Sequence, residues 1–503
     1  MNHLVIAPLL LPLLVGIVLI LTQHMDIRLH RLLSVVAVLA QIGLALLLTR
    51  AVSGGDILVY NLGNWPGPFG IVLVADGLAV WMLLITALLA LFALLYACQG
   101  GDVNGRHFHA LFQLQLLGLN GAFLTGDLFN LFVFFEVLLL ASYGLILHGG
   151  GRARVRAGLH YVVLNLAGSA LFLIAVGTLY GVFGTLNMAD LALKVAVTPE
   201  QDLGLAKTAG LLLFAVFALK AALLPLYLWL PAAYAHTSAP VAALFAIMTK
   251  VGVYSIIRVY SLIFGADAGP AANLIEPWLL PLALMTLLVG MLGVLAATGL
   301  RQQAAYLVVA SVGSLLTAFG LNNPEGIAAA LYYLPHSTFA AAALFLLTDL
   351  IANRRGEMDD RFEPAPAIAH APLLGGLFFV AVLLTIGLPP LSGFIGKFLL
   401  LRASMGHAAV VWVMAIVLLG GLMGMIAMAR GGSLLFFRTL RLEGAAPPVA
   451  PAVVPVLVPV VGLLMLGIAM TLFAGPIHVY VSAIAEQLLR PDLYIHAVLG
   501  EHL

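Results

Sequence analysis

Charge is what this sequence has least of. Of its 503 residues only 9% are Asp, Glu, Lys or Arg, against 63% hydrophobic, a balance that excludes a water-soluble domain as the body of the chain. Cysteine is almost absent: Cys98 stands alone, which excludes an internal disulfide and a metal site built on cysteines. The basic and acidic residues nearly cancel, 22 against 21, so there is no electrostatic footprint for nucleic acid. No loop gathers acid/base, nucleophilic or metal-ligating side chains into a cluster, so the chain reads as a non-enzyme with no cofactor and no metal.

What is present is length in apolar runs. A hydrocarbon core of roughly 30 Å takes about 20 apolar residues per helix. Runs at about 3–22, 32–52, 71–97, 108–124, 128–147, 157–184, 203–229, 238–264, 274–296, 302–320, 326–350, 373–401, 408–429 and 452–474 predict fourteen membrane helices in an all-α polytopic protein. No basic segment precedes the first run, which reads as an uncleaved helix. Orientation follows from lysine and arginine in short loops. With both termini outside, thirteen fall on the cytoplasmic side (Arg28, Arg31, Arg106, Arg152, Arg154, Arg156, Arg301, Arg354, Arg355, Arg361, Arg430, Arg438, Arg441) and six outside (Arg50, Lys194, Lys207, Arg258, Arg402, Arg490). The segment 351–372 reads as a solvated cytoplasmic connection, 443–456 as a proline-rich linker, and 475–503 as an amphipathic tail at the outer surface.

Removing those nineteen leaves Lys220, Lys250 and Lys397, three of only five lysines in the chain. Arginine essentially cannot lose its proton, whereas a lysine in a low-dielectric site can titrate, so lysine suits a proton carrier. Glu136 in "LFNLFVFFEVLLLASYG" lies well inside the fifth run, where an unpaired ion costs several kcal/mol and a partner is expected. His336 in "LYYLPHSTF" falls near the middle of the eleventh run, at a depth where imidazole can relay protons. A single intramembrane lysine is also compatible with snorkelling or helix pairing, and a single histidine with a satisfied core position. Five ionisable groups together point to a path. His236, at the join of the seventh and eighth runs, reads as a polar loop residue that could stand at the mouth of a water path.

Two runs are interrupted. Pro225 follows Lys220 by five residues in "ALKAALLPLYLWLP", and Gly387, Pro389, Pro390 and Gly393 break "TIGLPPLSGFIGKF" ahead of Lys397. Proline frees backbone carbonyls, and irregular backbone at membrane depth is tolerated where it lines a hydrated cavity. Two broken helices, each with a lysine, are the sequence pointer to a transporter. They are five runs apart, so they cross in opposite directions, which predicts two inverted five-helix repeats.

Glu136 with its surrounding sequence, Lys220 and Pro225 in "ALKAALLPLYLWLPAAYAHTSAPVAALFAIMTKVGVYSIIRV", and "GLPPLSGFIGKF" resemble the antiporter-like membrane subunits shared by respiratory complex I, membrane-bound hydrogenases and Mrp-type sodium/proton antiporters, the last most of all. The resemblance covers nearly the whole chain. It implies fourteen helices and a central line of ionisable groups in which Glu136 is the fifth-helix glutamate, Lys220 the lysine paired with it, and Lys250, His336 and Lys397 the later relays. It implies a division into residues 1–107, a first repeat 108–264, a second 265–442, and 443–503. It implies partners that are other small hydrophobic subunits, with H+ and Na+ as cargo in a bacterial inner membrane. The alternative within the family is a proton-pumping subunit of a redox complex. Two departures stand out: Ala340 occupies a position where several relatives carry lysine, and the short tail lacks a long lateral helix.

Overall fold

The computed structural model describes residues 3–440 and 454–500. Its helices in chain order are α1 (Ala7–Leu21), α2 (Ile27–Val52), α3 (Gly77–Ala97), α4 (Phe108–Leu124), α5 (Leu128–Ile146), α6 (Arg152–Phe183), α7 (Met188–Ala196), α8 (Glu200–Ala221), α9 (Trp229–His236), α10 (Ala239–Phe245), α11 (Met248–Leu262), α12 (Glu276–Ala296), α13 (Leu300–Phe319), α14 (Pro324–Ala352), α15 (Ala371–Ile386), α16 (Ser392–Ala403), α17 (Val410–Phe436), α18 (Val454–Leu472), α19 (Ala474–Leu488) and α20 (Pro491–Leu499). Strand β1 (Leu58–Asn61) pairs antiparallel with β2 (Val72–Ala75), and β3 (Ala365–Pro366) runs parallel to β4 (Thr439–Leu440).

All fourteen apolar runs carry helix. Among the described residues eleven helical segments are long and apolar enough to cross a membrane, with α10 and α11 counted as one; α1, α4 and the α15–α16 pair complete the set. Their ends are set by capping side chains as well as by hydropathy. Asp26 accepts from the Arg28 amide, so α2 starts at Ile27, ahead of the expected residue 32. Asp76 accepts from the Ala79 amide, so α3 starts at Gly77, and the expected start at 71 falls beside β2. Two short helices were not foreseen, α7 and α9, and α9 carries His236, expected in a loop, as its last residue. The α7 segment is amphipathic and is capped by Asn187. The tail folds as α19 and α20, which pack on α14, α3 and α7. Of the expected linker 443–456, residues 443–453 lie outside the described residues and 454–456 already belong to α18. Arg441, the expected boundary at 442/443 and residues 501–503 also lie outside them.

The bundle centres on α14, which touches α13, α16, α18, α19, α10, α15 and α3 and is buried along almost its entire length. Pro335 sits inside it. The carbonyl that Pro335 cannot bond, that of Leu331, accepts instead from the Trp81 indole N–H of α3 at 3.1 Å.

The two interrupted runs break in the same way. Helix α8 ends in Ala222 with left-handed backbone, and α15 ends in Gly387 with left-handed backbone. In the first break the amides of Ala222, Leu223 and Leu226 bond the carbonyls of Leu219, Ala218 and Leu223. In the second, Gly387, Leu388 and Leu391 bond Leu384, Leu383 and Leu388 at identical spacings. Pro225 and Pro390 then follow the left-handed residue by the same interval, each after a cis bond. The path through α8 and α9 ends at His236, whose carbonyl accepts from Arg154 Nε. The path through α15 and α16 ends at Ala403, whose carbonyl accepts from Asn323 at the start of α14, the opposite end of the bundle from Asp349. The broken helices therefore run antiparallel, as the inverted repeats require.

Candidate functional site

The ionisable residues singled out in the sequence converge on the interior as two groups. In the first, Lys220 occupies the last turn of α8 and is 5% exposed. Its Nζ donates to Asn165 Oδ1 at 3.1 Å and lies 5.8 Å from the centre of the Phe135 ring. Glu136 on α5 accepts a short hydrogen bond from Ser169 Oγ. Asn165 and Ser169 are one helical turn apart on α6, so a single polar edge of α6 holds both groups. The expected direct ion pair between Glu136 and Lys220 is not among the salt bridges of the described residues. The two remain within Coulombic reach of one another while each keeps a neutral partner.

The second group lies across α11, α13, α14 and α16. Lys250 is fully buried and donates to Ser311 Oγ of α13 at 3.1 Å. Just before it the run is interrupted a third time: the amides of Ala246, Ile247 and Lys250 bond carbonyls three residues back, which separates α10 from α11. His336 Nδ1 meets Ser392 Oγ of α16 at 3.0 Å, and its Nε2 has no hydrogen-bond partner. Lys397 on α16 donates a short hydrogen bond to the carbonyl of Ile386, the last residue of α15, so the break itself supplies the acceptor. His336 is within Coulombic reach of both Lys250 and Lys397. The two groups are joined by close backbone packing. A Cβ on Gly252 of α11 would stand 2.8 Å from the Lys220 carbonyl carbon, so only glycine lets α11 approach the end of α8 there.

The breaks place their residues differently. Pro225, Pro389 and Pro390 face the outside of the chain, whereas Gly393 is buried, and a Cβ on it would come within 2.9 Å of His336 Cε1. Matching the two breaks sets Thr385 opposite Lys220 and Ala232 opposite Lys397, so the two lysines lie on opposite sides of equivalent interruptions.

One expectation is corrected. Arg258, assigned to an outer loop, lies inside α11 and is 3% exposed, bound through Nη1 and Nη2 to both oxygens of Asp76 at 2.5 and 2.6 Å. It falls inside the apolar run 238–264, and a bidentate arginine neutralised by a carboxylate can be buried where hydropathy alone would not put it. Tyr254 and Tyr494 flank the guanidinium at 5.5 and 5.3 Å, the latter contributed by α20. The neutral partners Asn165, Ser169, Ser311 and Ser392 were also missed. The legible signal was a pair of polar residues four apart, Asn165 and Ser169, in an otherwise apolar run.

At one end of the bundle His236, which is exposed, lies between two clefts of about 640 and 510 Å³ that share Arg301 and also include Arg154, Asp349 and Asp360. Arg301 is bound there by Asp359 at 2.7 Å and Asp360 at 3.3 Å.

A many-helix bundle with two antiparallel broken helices and buried amines held by neutral acceptors is the architecture of an ion-transporting membrane protein. The family model described as NADH:quinone oxidoreductase/Mrp antiporter, TM, matches residues 125–424, and the chain belongs to this family. It is 44% identical to a Rhizobium meliloti protein described as a probable K(+)/H(+) antiporter component, over 99% of this chain and 98% of that one. It is 37% identical to the corresponding Na(+)/H(+) antiporter component of Bacillus subtilis over the whole of both chains. Among solved structures it resembles a chain of the Mrp complex from Dietzia sp. DQ12-45-1b, with a TM-score of 0.88 and 28% identity over 99% of this chain and all of that one. A chain of respiratory complex I from Thermus thermophilus follows, with a TM-score of 0.79 and 26% identity over 96% and 99%.

Proposed function

We propose that this chain is the membrane subunit of a multisubunit monovalent cation/proton antiporter and carries protons through Glu136, Lys220, Lys250, His336 and Lys397. The observation that carries this reading is that two buried amines, the half-buried amine of Lys397 and an imidazole succeed one another across the bundle, each bonded to a neutral partner on a neighbouring helix. A neutral acceptor tolerates either protonation state, which a relay requires.

The first step is exchange between Glu136 and Lys220. Ser169 and Asn165 hold them apart, and a rotation that brings them to 4 Å raises their attraction to a total of about 4 kcal/mol at an effective dielectric near 20. That is enough to favour or release a proton on the amine as the pair closes and opens. Water reaches the line through the irregular backbone near Pro225, Pro389, Pro390 and Gly393, with one mouth in the clefts beside His236. Both termini lie outside, and the arginine-rich end that holds Arg154 and Arg301 is cytoplasmic. The chain divides at 1–107, 108–264, 265–442 and 443–503, the two middle parts being the inverted repeats. Other small hydrophobic subunits, set in membrane lipid, complete the cation path. The names of the relatives divide between Na+ and K+, and the cargo here is one of these.

The test is vesicles carrying the whole complex. Glu136→Gln and Lys220→Ala are expected to abolish the pH response to added Na+ or K+, and an intact response in an assembled complex would overturn the proposal. Likeness to a complex I chain favours a second reading, a proton pump powered by redox partners. Cation-dependent proton exchange without quinone or electron donor separates the two.

A further inference from the structure

Away from the central line, Cys98, Asp102 and His109 bring a thiol, a carboxylate and an imidazole together, with one ligand atom from each within 4.8 Å of the others. Three consecutive pieces of backbone place them: Cys98 ends α3, Asp102 sits in a single 3-10 turn over Gly101–Val103, and His109 lies in the first turn of α4. Asp102 and His109 are 2% and 3% exposed. His109 Nε2 stands 3.1 Å from Asp102 Oδ2, and His109 Nδ1 has no hydrogen-bond partner. Arg31 of α2 covers the carboxylate, with Nε and Nη2 at 2.6 and 2.7 Å from its two oxygens, and its side chain is 30% exposed.

We propose that Cys98, Asp102 and His109 form a binding site for a borderline-soft divalent metal ion of the Zn2+ class, which takes Asp102 from Arg31 when it binds. The donor set is the argument for the ion. Thiolate, imidazole and carboxylate together select zinc-like cations over magnesium or calcium, which take oxygen ligands. The spacing fits as well. Tetrahedral coordination at bond lengths of about 2.0–2.3 Å puts ligand atoms roughly 3.3–3.6 Å apart; the imidazole–carboxylate pair is already that close, and the thiol closes the rest by side-chain rotation. Three protein ligands leave the fourth position to water. Arg31 is the competitor, because guanidinium and metal draw on the same two carboxylate oxygens and their positive charges repel across it.

Burial and the nearby Asp102 push the Cys98 thiol up to about 11. Asp102 goes the other way: burial alone would raise it, but hydrogen bonds from His109 and Arg31 hold it well below the usual carboxylate range. The metal therefore displaces the thiol proton, which leaves to bulk water, while the carboxylate is ionised beforehand. With Arg31 released, α2 loses its ionic tie to the α3–α4 turn, so loading couples to the packing of α2.

Cys98 is the only cysteine, which makes the experiment direct. The full chain, purified metal-free with its affinity tag removed, is titrated with Cd2+, and the ultraviolet thiolate-to-metal charge-transfer band is followed, with Zn2+ as competitor. One equivalent is expected to saturate the band, Zn2+ to erase it, and Cys98→Ser to abolish it. His109→Gln is expected to weaken binding about tenfold or more, as loss of a ligand should. Arg31→Gln is expected to tighten it by removing the competitor. Absence of the band in folded protein would overturn the site, and so would a band that neither His109→Gln nor Arg31→Gln alters, since cadmium would then be on the thiol alone.

Discussion

Two cations buried on the same helix, Arg258 and Lys250 of α11, are held in contrasting ways. Arg258 has both ends of its guanidinium fork on the oxygens of Asp76, with tyrosines on either side. Lys250 has the hydroxyl of Ser311. A buried full charge persists where a counter-charge and a matched set of hydrogen bonds replace water; the arginine has both. The lysine has a single neutral partner, and an amine in that setting can be charged or neutral without leaving an opposite charge stranded. One helix thus carries an ion-paired arginine and, two turns earlier, a lysine with a neutral partner, the one proposed for the proton path. Arg31, Arg258 and Arg301 likewise pair with Asp102, Asp76, Asp359 and Asp360, while the three central lysines bond to an amide oxygen, a hydroxyl and a backbone carbonyl; Arg355 stands outside this division, buried with its guanidinium on the backbone carbonyls of Asp359, Arg361 and Glu363.

The contrast can be broken from either side. Asp76→Asn would leave Arg258 buried without its counter-charge and is expected to cost about 3–5 kcal/mol, seen as a large drop in the melting temperature of the solubilised chain. A melt within a few degrees of the parent would mean that Arg258 is not held as described. Lys250→Met removes a buried polar group whose partner can turn to its own helix, since Ser311 Oγ already donates to the Val308 carbonyl. Stability is expected to change by no more than about 1–2 kcal/mol, while cation-linked proton exchange by the complex disappears. Retained exchange would remove Lys250 from the path. Ser311→Ala tests the neutral partner itself and is expected to cost about 1 kcal/mol with exchange slowed but present. The smallest effect belongs to the broken helices: Ala222→Gly should gain about 1 kcal/mol, because the left-handed backbone there penalises a Cβ. Gly387→Ala should lose more than that, because the added Cβ would also stand 2.9 Å from the Gly393 carbonyl oxygen. Equal signs for the two would contradict the equivalence of the breaks.

Much of the architecture was legible because the bilayer imposes it. Apolar runs of span length gave the helices, and proline, joined by glycine in the second case, gave both major interruptions. The third, ahead of Lys250, has neither residue at the interruption itself and came from a local tightening of the helix that no composition marks. The residues proposed for the path were legible as polar exceptions in apolar runs. Their partners were not, since a serine or asparagine in a helix satisfies itself on its own backbone as readily as it meets a neighbour. Arg258 misled for a related reason: its neutralising carboxylate, Asp76, is far away in the sequence, so nothing local shows that the charge is cancelled.

The sequence by itself determined that this is a polytopic membrane protein with broken lysine-bearing helices, because water, lipid and backbone hydrogen bonding leave few other solutions for such a composition. The tertiary structure alone decided which cations meet a carboxylate and which meet a neutral partner. That depends on what stands within about 3 Å of each nitrogen, and here those neighbours come from elsewhere in the chain, as where Gly393 lets α16 lie against His336.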